Sequence, residues 1–395
     1  MYDFCINGGG MVGAALALGL AQQNYNVAVI EPNLPKEFNA ADGPDLRVSA
    51  ISEASVTLLK ALGAWPFIEA MRVKAYRGLS VWESPNSRTD FTADSIGMPQ
   101  LGYFVENRLL QLGCHEALKQ YSNVDVISGH NVSNIQLKGH ATLTLSNDQK
   151  LEAQWLIGAD GANSQVRKVA GIGSTGWQYA QQAMGITITL EKPVQAITWQ
   201  QFTPKGPMAF LPMFDNYASL VWYNSADELK RLKSLNNLQL KNAILSAFPK
   251  ELTENNNDFE IVDKAVFPLT RSHANQYIKG RCVLLGDAAH TINPLAGQGV
   301  NLGFKDVEAF LSVTSERLVL ASDEFSTSLK RHFEKPRRRD NLIMMTAMDG
   351  FYTLFSNDVT PIHWIRNQLL SVAQRIEPAK KEVLKYAIGL RLWKC

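Results

Sequence analysis

Asp3-Phe4-Cys5-Ile6-Asn7-Gly8-Gly9-Gly10-Met11-Val12-Gly13 opens the chain's folded part and decides its class. Asp3–Asn7 reads as a short buried strand. Met11–Gln23, rich in Ala and Leu, reads as a helix. Tyr25–Glu31 reads as a second strand, ended by Pro32. Strand, glycine turn, helix, strand is the beginning of a parallel α/β sheet. The turn fits G-x-G-x-x-G through Gly8, Gly10 and Gly13. Gly8 permits the tight turn, Gly10 lets a pyrophosphate approach the backbone, and Gly13 permits close helix packing. The helix N-terminus offers oriented N–H groups, and Glu31 can accept from both hydroxyls of an adenosine ribose. A glycine turn without a ligand is the bland alternative. The pattern does not separate NAD from FAD.

Two further motifs follow apolar strand-like runs. One is Ile157-Gly158-Ala159-Asp160-Gly161-Ala162-Asn163-Ser164-Gln165-Val166-Arg167. The other is Leu285-Gly286-Asp287-Ala288-Ala289-His290, continued by Pro294-Leu295-Ala296-Gly297-Gln298-Gly299. Asp287 falls at a strand's carboxyl end, where this fold places ligands. Gly297 and Gly299 open a helix whose N-terminal dipole can face a pyrophosphate or the electron-rich end of a flavin ring. Asp160 can equally cap the next turn, and Arg167 can be a surface residue.

Between these motifs, Ser52–Leu62 and Leu109–Gln120 read as helices, and Ala141–Leu145 with Leu151–Leu156 as a hairpin. After Gly176 the pattern changes to short alternating strands: Met184–Leu190, Ala196–Phe202, Met208–Pro212 and Tyr217–Tyr223. They predict a largely antiparallel sheet suited to covering a pocket. Ala226–Phe248 reads as helix, Phe259–Leu269 as strand, Cys282–Leu285 as a buried parallel strand and Val300–Leu311 as helix. From Phe325 onward the chain reads as helical, broken by Pro336 and Pro361. The run Arg337-Arg338-Arg339 is a solvated helix face or a contact for another subunit or an acidic lipid headgroup.

Composition bounds the rest. The 395 residues are 46% hydrophobic, more than one core usually holds, so two packed domains are expected. Lys and Arg total 39 against 37 Asp and Glu, a balance that excludes a whole-chain nucleic-acid footprint. Cys5, Cys114, Cys282 and Cys395 form no CxxC pair, so reduced cysteines and no metal are expected. There is no GxSxG elbow, which argues against hydrolysis. The apolar stretch Met11–Ala21 is too short to span a bilayer, and no positive segment precedes Asp3. A cytoplasmic protein is expected, with room for peripheral contact at the inner membrane.

The three motifs, in this order and at these separations, resemble the flavoprotein monooxygenases of the aromatic-hydroxylase class, over essentially the whole chain. Within it the chain is most similar to the ubiquinone-biosynthesis hydroxylases, through Asp45-Leu46-Arg47-Val48-Ser49-Ala50-Ile51-Ser52 and Val105-Glu106-Asn107-Arg108. Trp177–Gln181, Trp199–Pro204, Asp287–Pro294 and the ending Lys385–Leu390 bring it nearest to the members that hydroxylate 2-polyprenyl-3-methyl-6-methoxy-1,4-benzoquinol. Asn7 departs from the usual apolar residue, and its side chain is expected to bond the glycine turn.

The resemblance implies an α/β fold: a Rossmann-like FAD-binding domain with an inserted, largely antiparallel substrate sheet and C-terminal helices. The FAD-binding parts would be 1–70, 106–176 and 273–320, the substrate parts 71–105 and 177–272, and the helical region 321–395. It implies FAD on Gly8, Gly10, Gly13, Glu31, Arg47, Arg108, Asp160, Gly161, Asp287 and Gly299, with Pro294, Gly297 and His290 at the reacting centre. His290 can also be packed behind the flavin. It implies NADH or NADPH as reductant, a C4a-hydroperoxyflavin as oxidant, and O2 and a polyprenyl benzoquinol as substrates. A ubiquinone-biosynthesis protein assembly is the implied partner. Trp199, Phe202, Phe210, Pro212 and Phe267 are candidate pocket walls or ordinary core. A sister hydroxylase for another ring position, a flavin monooxygenase for another phenolic ring, and a non-enzymatic flavin or prenyl-lipid binder remain open.

Overall fold

The computed structural model describes residues 1–84, 88–256, 258–293 and 299–355, together with Leu384. Strand Tyr2–Asn7, helix Met11–Gln22 and strand Val27–Glu31 follow the expected order. Tyr2–Asn7 pairs in parallel with Val27–Glu31 on one side and Lys150–Gly158 on the other. A strand in that position is buried on both faces, so Phe4, Cys5 and Ile6 are all apolar and fully buried. Val124–Ser128 extends the parallel core beyond Val27–Glu31, and Cys282–Leu284 extends it beyond Lys150–Gly158. The strand order reverses at Tyr2–Asn7, which makes its carboxyl end a topological switch point. The predicted hairpin is present, with Ala141 opposite Ala153.

A second sheet has eight strands among the described residues. In space they run His290–Thr291, Phe259–Ala274, Ser174–Leu190, Tyr217–Ser225, Met208–Pro212, Ile197–Gln201, Gly78–Trp82 and Thr89–Thr92. Its neighbours are antiparallel except Ile197–Gln201 with Gly78–Trp82. The expected helix Ala226–Phe248 is two helices, Ala226–Ser234 and Asn237–Ala247. Asn236 separates them because its side chain and Gln239 form a reciprocal capping box. Both helices cover one face of the sheet, against Trp199, Phe210, Leu220 and Trp222. Trp199 and Phe210 lie opposite each other and stack with centroids 5.5 Å apart. They belong to this helix-covered core, the second of the two readings left open for them.

A three-stranded sheet, Val48–Ser52, Gly102–Glu106 and Lys74–Tyr76, sits against the other face. Its Tyr76 and Phe104 pack with Leu79, Leu211 and Leu384. Helix Gly299–Thr314 lies on helix Met11–Gln22. Pro336 does not break the C-terminal helical run, contrary to expectation. Asp323–Ser328 passes through a π-type turn, Leu329–Glu334, into helix Lys335–Phe355. The wider turn accommodates a residue that lacks an N–H and crowds the carbonyl four positions back. Pro361 and the Lys385–Leu390 stretch lie outside the described residues.

Candidate active site

Asn7 pairs with Gly158, and Gly158 with Leu284, so the three motif loops leave the sheet side by side. The Ala159 N–H donates to Asn7 O at 2.9 Å, and the Leu285 N–H to Gly158 O at 3.0 Å. Val12 of the first motif fits against Gly286 of the third and Gly303 of the next helix. A Cβ on Gly303 would come within 2.5 Å of Val12. Arg167 is a buried clamp rather than a surface residue. It donates to Ala162 O and to Ala288 O, both at 2.6 Å, and so ties the second motif to the third.

Gly8 has φ +103°, and a Cβ there would lie 2.4 Å from Ala159 O. A Cβ on Gly13 would lie 1.9 Å from Gly8 O. By contrast, nothing stands within 4 Å of a Cβ built on Gly10, and no side chain caps the helix it begins. Glu31 flanks the turn, and its Oε1 accepts from the Asn33 N–H at 3.1 Å. Two residues that sequence reasoning missed hold the turn from behind. Gln111 Nε2 and His115 Nε2 lie 3.1 and 2.7 Å from Gly9 O.

Asp160 caps locally. Its carboxylate accepts from Ser164 Oγ at 2.5 Å, from the N–H groups of Gln165 and Val166 at 2.7 and 3.1 Å, and from Asn7 Nδ2 at 3.3 Å. Asn7 therefore bonds Asp160 and not the glycine turn, a correction to the expectation above. Gly161 has φ +77°, the left-handed turn that follows.

Asp287 is accessible yet recessed, and its carboxylate has no partner among the described residues. Its surroundings raise its pKa by desolvation, opposed by the charges of His290 and Arg47. Arg47 lies 5.0 Å over the Phe267 ring. Arg108, on helix Asn107–Leu118, turns to the loop between Glu31 and Val48, donating to Asp45 at 2.8 Å and to Lys36 O at 2.8 Å. His290 is buried behind the Asp287 turn, with Nε2 2.5 Å from Asp306 Oδ2. The same oxygen accepts the Gly286 N–H at 3.0 Å, and Arg337 Nε donates to Asp306 Oδ1 at 2.8 Å. Burial alone would raise Asp306, but His290 and Arg337 outweigh it and hold the carboxylate charged. Of the arginine run, Arg337 is thus interior, and Arg338 and Arg339 are exposed. Gly299 begins its helix. Pro294 and Gly297 lie outside the described residues.

The inner face of the second sheet closes over these loops. A Cβ on Gly185 would lie 3.5 Å from Phe267 and 3.9 Å from Leu46. An open, uncapped helix start, an unpartnered carboxylate and an apolar wall fit a dinucleotide with its reactive ring toward the wall.

Comparison with known proteins agrees. A family model described as FAD binding domain matches residues 1–316. The chain is 45% identical over 394 residues to "3-demethoxyubiquinol 3-hydroxylase" of Escherichia coli (strain K12), covering 98% of both. It is 33% identical to "Ubiquinone biosynthesis monooxygenase COQ6, mitochondrial" of Xenopus tropicalis, covering 98% of this chain and 93% of that one. Among solved structures, p-nitrophenol 4-monooxygenase PnpA from Pseudomonas putida DLL-E4 superposes with a TM-score of 0.82 at 17% identity, covering 100% of this chain and 99% of that one. At that identity the likeness is one of fold.

Proposed function

Because the chain belongs to the ubiquinone-biosynthesis family of FAD-dependent aromatic-ring hydroxylases, we propose that it hydroxylates the free ring carbon of a 2-polyprenyl-3-methyl-6-methoxy-1,4-benzoquinol. The observation that carries the site is the convergence of three loops on an open Gly10 and an unpartnered Asp287. The substrate is supported by 45% identity to a protein named for a demethoxyubiquinol.

In this reading Gly8, Gly10, Gly13 and the Met11–Gln22 helix hold the FAD diphosphate, and Glu31 holds the adenosine ribose. Asp287 accepts from the ribityl hydroxyls. Asp160 and Gly161 shape the adjoining loop, and Arg47 and Arg108 flank it. Pro294, Gly297 and Gly299 border the flavin ring, with His290 supporting them from behind. Bound FAD supplies the electron transfer from NADH or NADPH and the oxygen activation that side chains lack. The chain's own task is to orient the ring and exclude water. The quinol's hydroxyl already activates the ring, so no protein nucleophile is needed. Segments 1–70, 106–176 and 273–320 serve the cofactor and 71–105 and 177–272 the substrate, with 321–395 the C-terminal region that follows. No described helix is long and apolar enough to cross a membrane. In this reading the polyprenyl tail is met at a membrane surface or within a biosynthetic assembly.

Labelled O2 tests the reaction. Cells lacking this protein and complemented by it should make ubiquinone with one labelled oxygen at the ring position introduced last. Label from water at that position overturns the monooxygenase reading, and label at an earlier ring position moves the protein to a sister step.

A further inference from the structure

Tyr223 stands on the inner face of the antiparallel sheet, 3% exposed, packed with Tyr179, Ala183 and Leu269. Its hydroxyl donates to Asn293 Oδ1 at 3.3 Å. An amide oxygen carries no proton, so in this bond the tyrosine is the donor. Asn293 is 2% exposed, and its Nδ2 has no partner among the described residues. Ala183 lies opposite Tyr223, and Gln181 is two residues before Ala183 on the same face. Gln181 Nε2 donates to Lys205 O at 3.0 Å, which leaves Oε1 buried and unpartnered.

Few such side-chain atoms occur among the described residues, and two lie at opposite ends of this tyrosine: Asn293 at its hydroxyl, and Gln181 Oε1 beside Gly206, where a Cβ would lie 3.1 Å from that oxygen and 2.7 Å from Tyr223 Cβ. They are of opposite character, a donor and an acceptor. Leaving a buried polar atom unbonded costs about 1–3 kcal/mol, so a ligand that bonds both is favoured. Asn293 directly precedes Pro294, the start of the loop assigned to the flavin ring. A quinol matches the pair, because its hydroxyls donate and its ring oxygens accept.

We propose that Asn293 and Gln181 are the polar contacts for the substrate ring, with Asn293 Nδ2 donating to a ring oxygen and Gln181 Oε1 accepting from a ring hydroxyl. Tyr223 is the positioning residue that orients the Asn293 amide. Together they set which ring carbon faces the flavin. This rests on the quinol-hydroxylase reading above.

The test uses FAD-loaded enzyme and a short-tailed methoxy-methyl-benzoquinol, with binding read from the flavin absorbance change. Asn293→Asp and Gln181→Met should each raise the quinol Kd about tenfold, with Tyr223→Phe intermediate, while FAD content and FAD affinity stay at wild-type values. Asn293→Asp keeps the shape and the acceptor for Tyr223 but buries a carboxyl, so a merely structural effect lowers FAD affinity and stability in parallel, whereas loss of the ring contact shows in quinol Kd at unchanged FAD affinity. Product per nicotinamide oxidised should fall in all three variants. Wild-type quinol affinity in both Asn293→Asp and Gln181→Met, alongside a wild type that hydroxylates the quinol, overturns this proposal alone. A wild type that neither binds nor hydroxylates any quinol overturns the parent reading, and this one with it.

Discussion

Gln111 and His115 both direct a hydrogen bond at the carbonyl of Gly9. A trans peptide points its N–H opposite to its C=O, so a carbonyl pinned toward helix Asn107–Leu118 turns the Gly10 N–H toward the open side of the glycine turn. That N–H and the first turn of the following helix are then left for an anion. Replacing both donors, as Gln111→Leu with His115→Leu, should weaken FAD binding by up to about thirtyfold, since each bond is worth about 1 kcal/mol. Titration of the apoprotein with FAD measures this, and an unchanged Kd would remove the two residues from the site. Their i, i+4 spacing was legible as one helix face. What that face meets was not, because Gly9 lies more than 100 residues away, with separations of 102 and 106.

The C-terminal helix Lys335–Phe355 illustrates the same division for a whole element. Arg337, Asn341, Met344 and Met345 recur at helical spacing and all face inward. Arg337 is tolerated there because Asp306, itself fully buried, takes its charge, while Asp340 and Asn341 complete its donors. Asp306 also holds the Gly286 N–H, so the helix braces the turn that carries Asp287. Arg337→Met should destabilise the protein by about 3–5 kcal/mol, because it strands part of a buried carboxylate. The urea midpoint of the variant reports it, and stability equal to wild type would mean that the pair is not coupled to folding. The three consecutive arginines suggested a charged surface, but helical geometry sends one of them inward and two outward.

At the scale of the molecule, both sheets and the C-terminal helix meet around Tyr277. Asn341 Nδ2 donates to the Tyr277 oxygen at 3.0 Å, and the Tyr277 hydroxyl lies 2.8 Å from His273 Nε2. The tyrosine proton therefore goes to His273, which must be neutral to accept it. His273 pairs across the strands with His290. Burial, reinforced by the charge of His290, lowers the His273 pKa to about 4. An unfolded histidine titrates near 6.5, so between these values the unfolded chain binds a proton that the native one refuses. The contribution is complete above about pH 6.5 and is lost as pH falls toward 4, amounting to about 2 kcal/mol by pH 5. His273→Gln keeps a hydrogen-bond acceptor without the titration. Its unfolding free energy, compared with wild type at pH 7 and pH 5, should fall about 2 kcal/mol less, and an identical slope would place the acid sensitivity elsewhere.

Whatever depends on neighbours in the chain was already present in the sequence. Gly8 and Gly13 declare a turn because only a missing Cβ permits the φ of the first and the close contacts of both, and apolar runs before each motif declare parallel strands. Alternation in Ile197–Gln201 and Met208–Pro212 declared two faces. Which face would carry the helices, and so make Trp199 and Phe210 core, was decided only when Ala226–Ala247 folded across one of them. The same holds for Asp160, Arg167 and Arg337, whose chemistry depends on which partners closure of the chain brings within bonding distance. Hydrogen bonds and ion pairs act over about 3 Å, and no local pattern encodes a separation of 121 residues like that between Arg167 and Ala288.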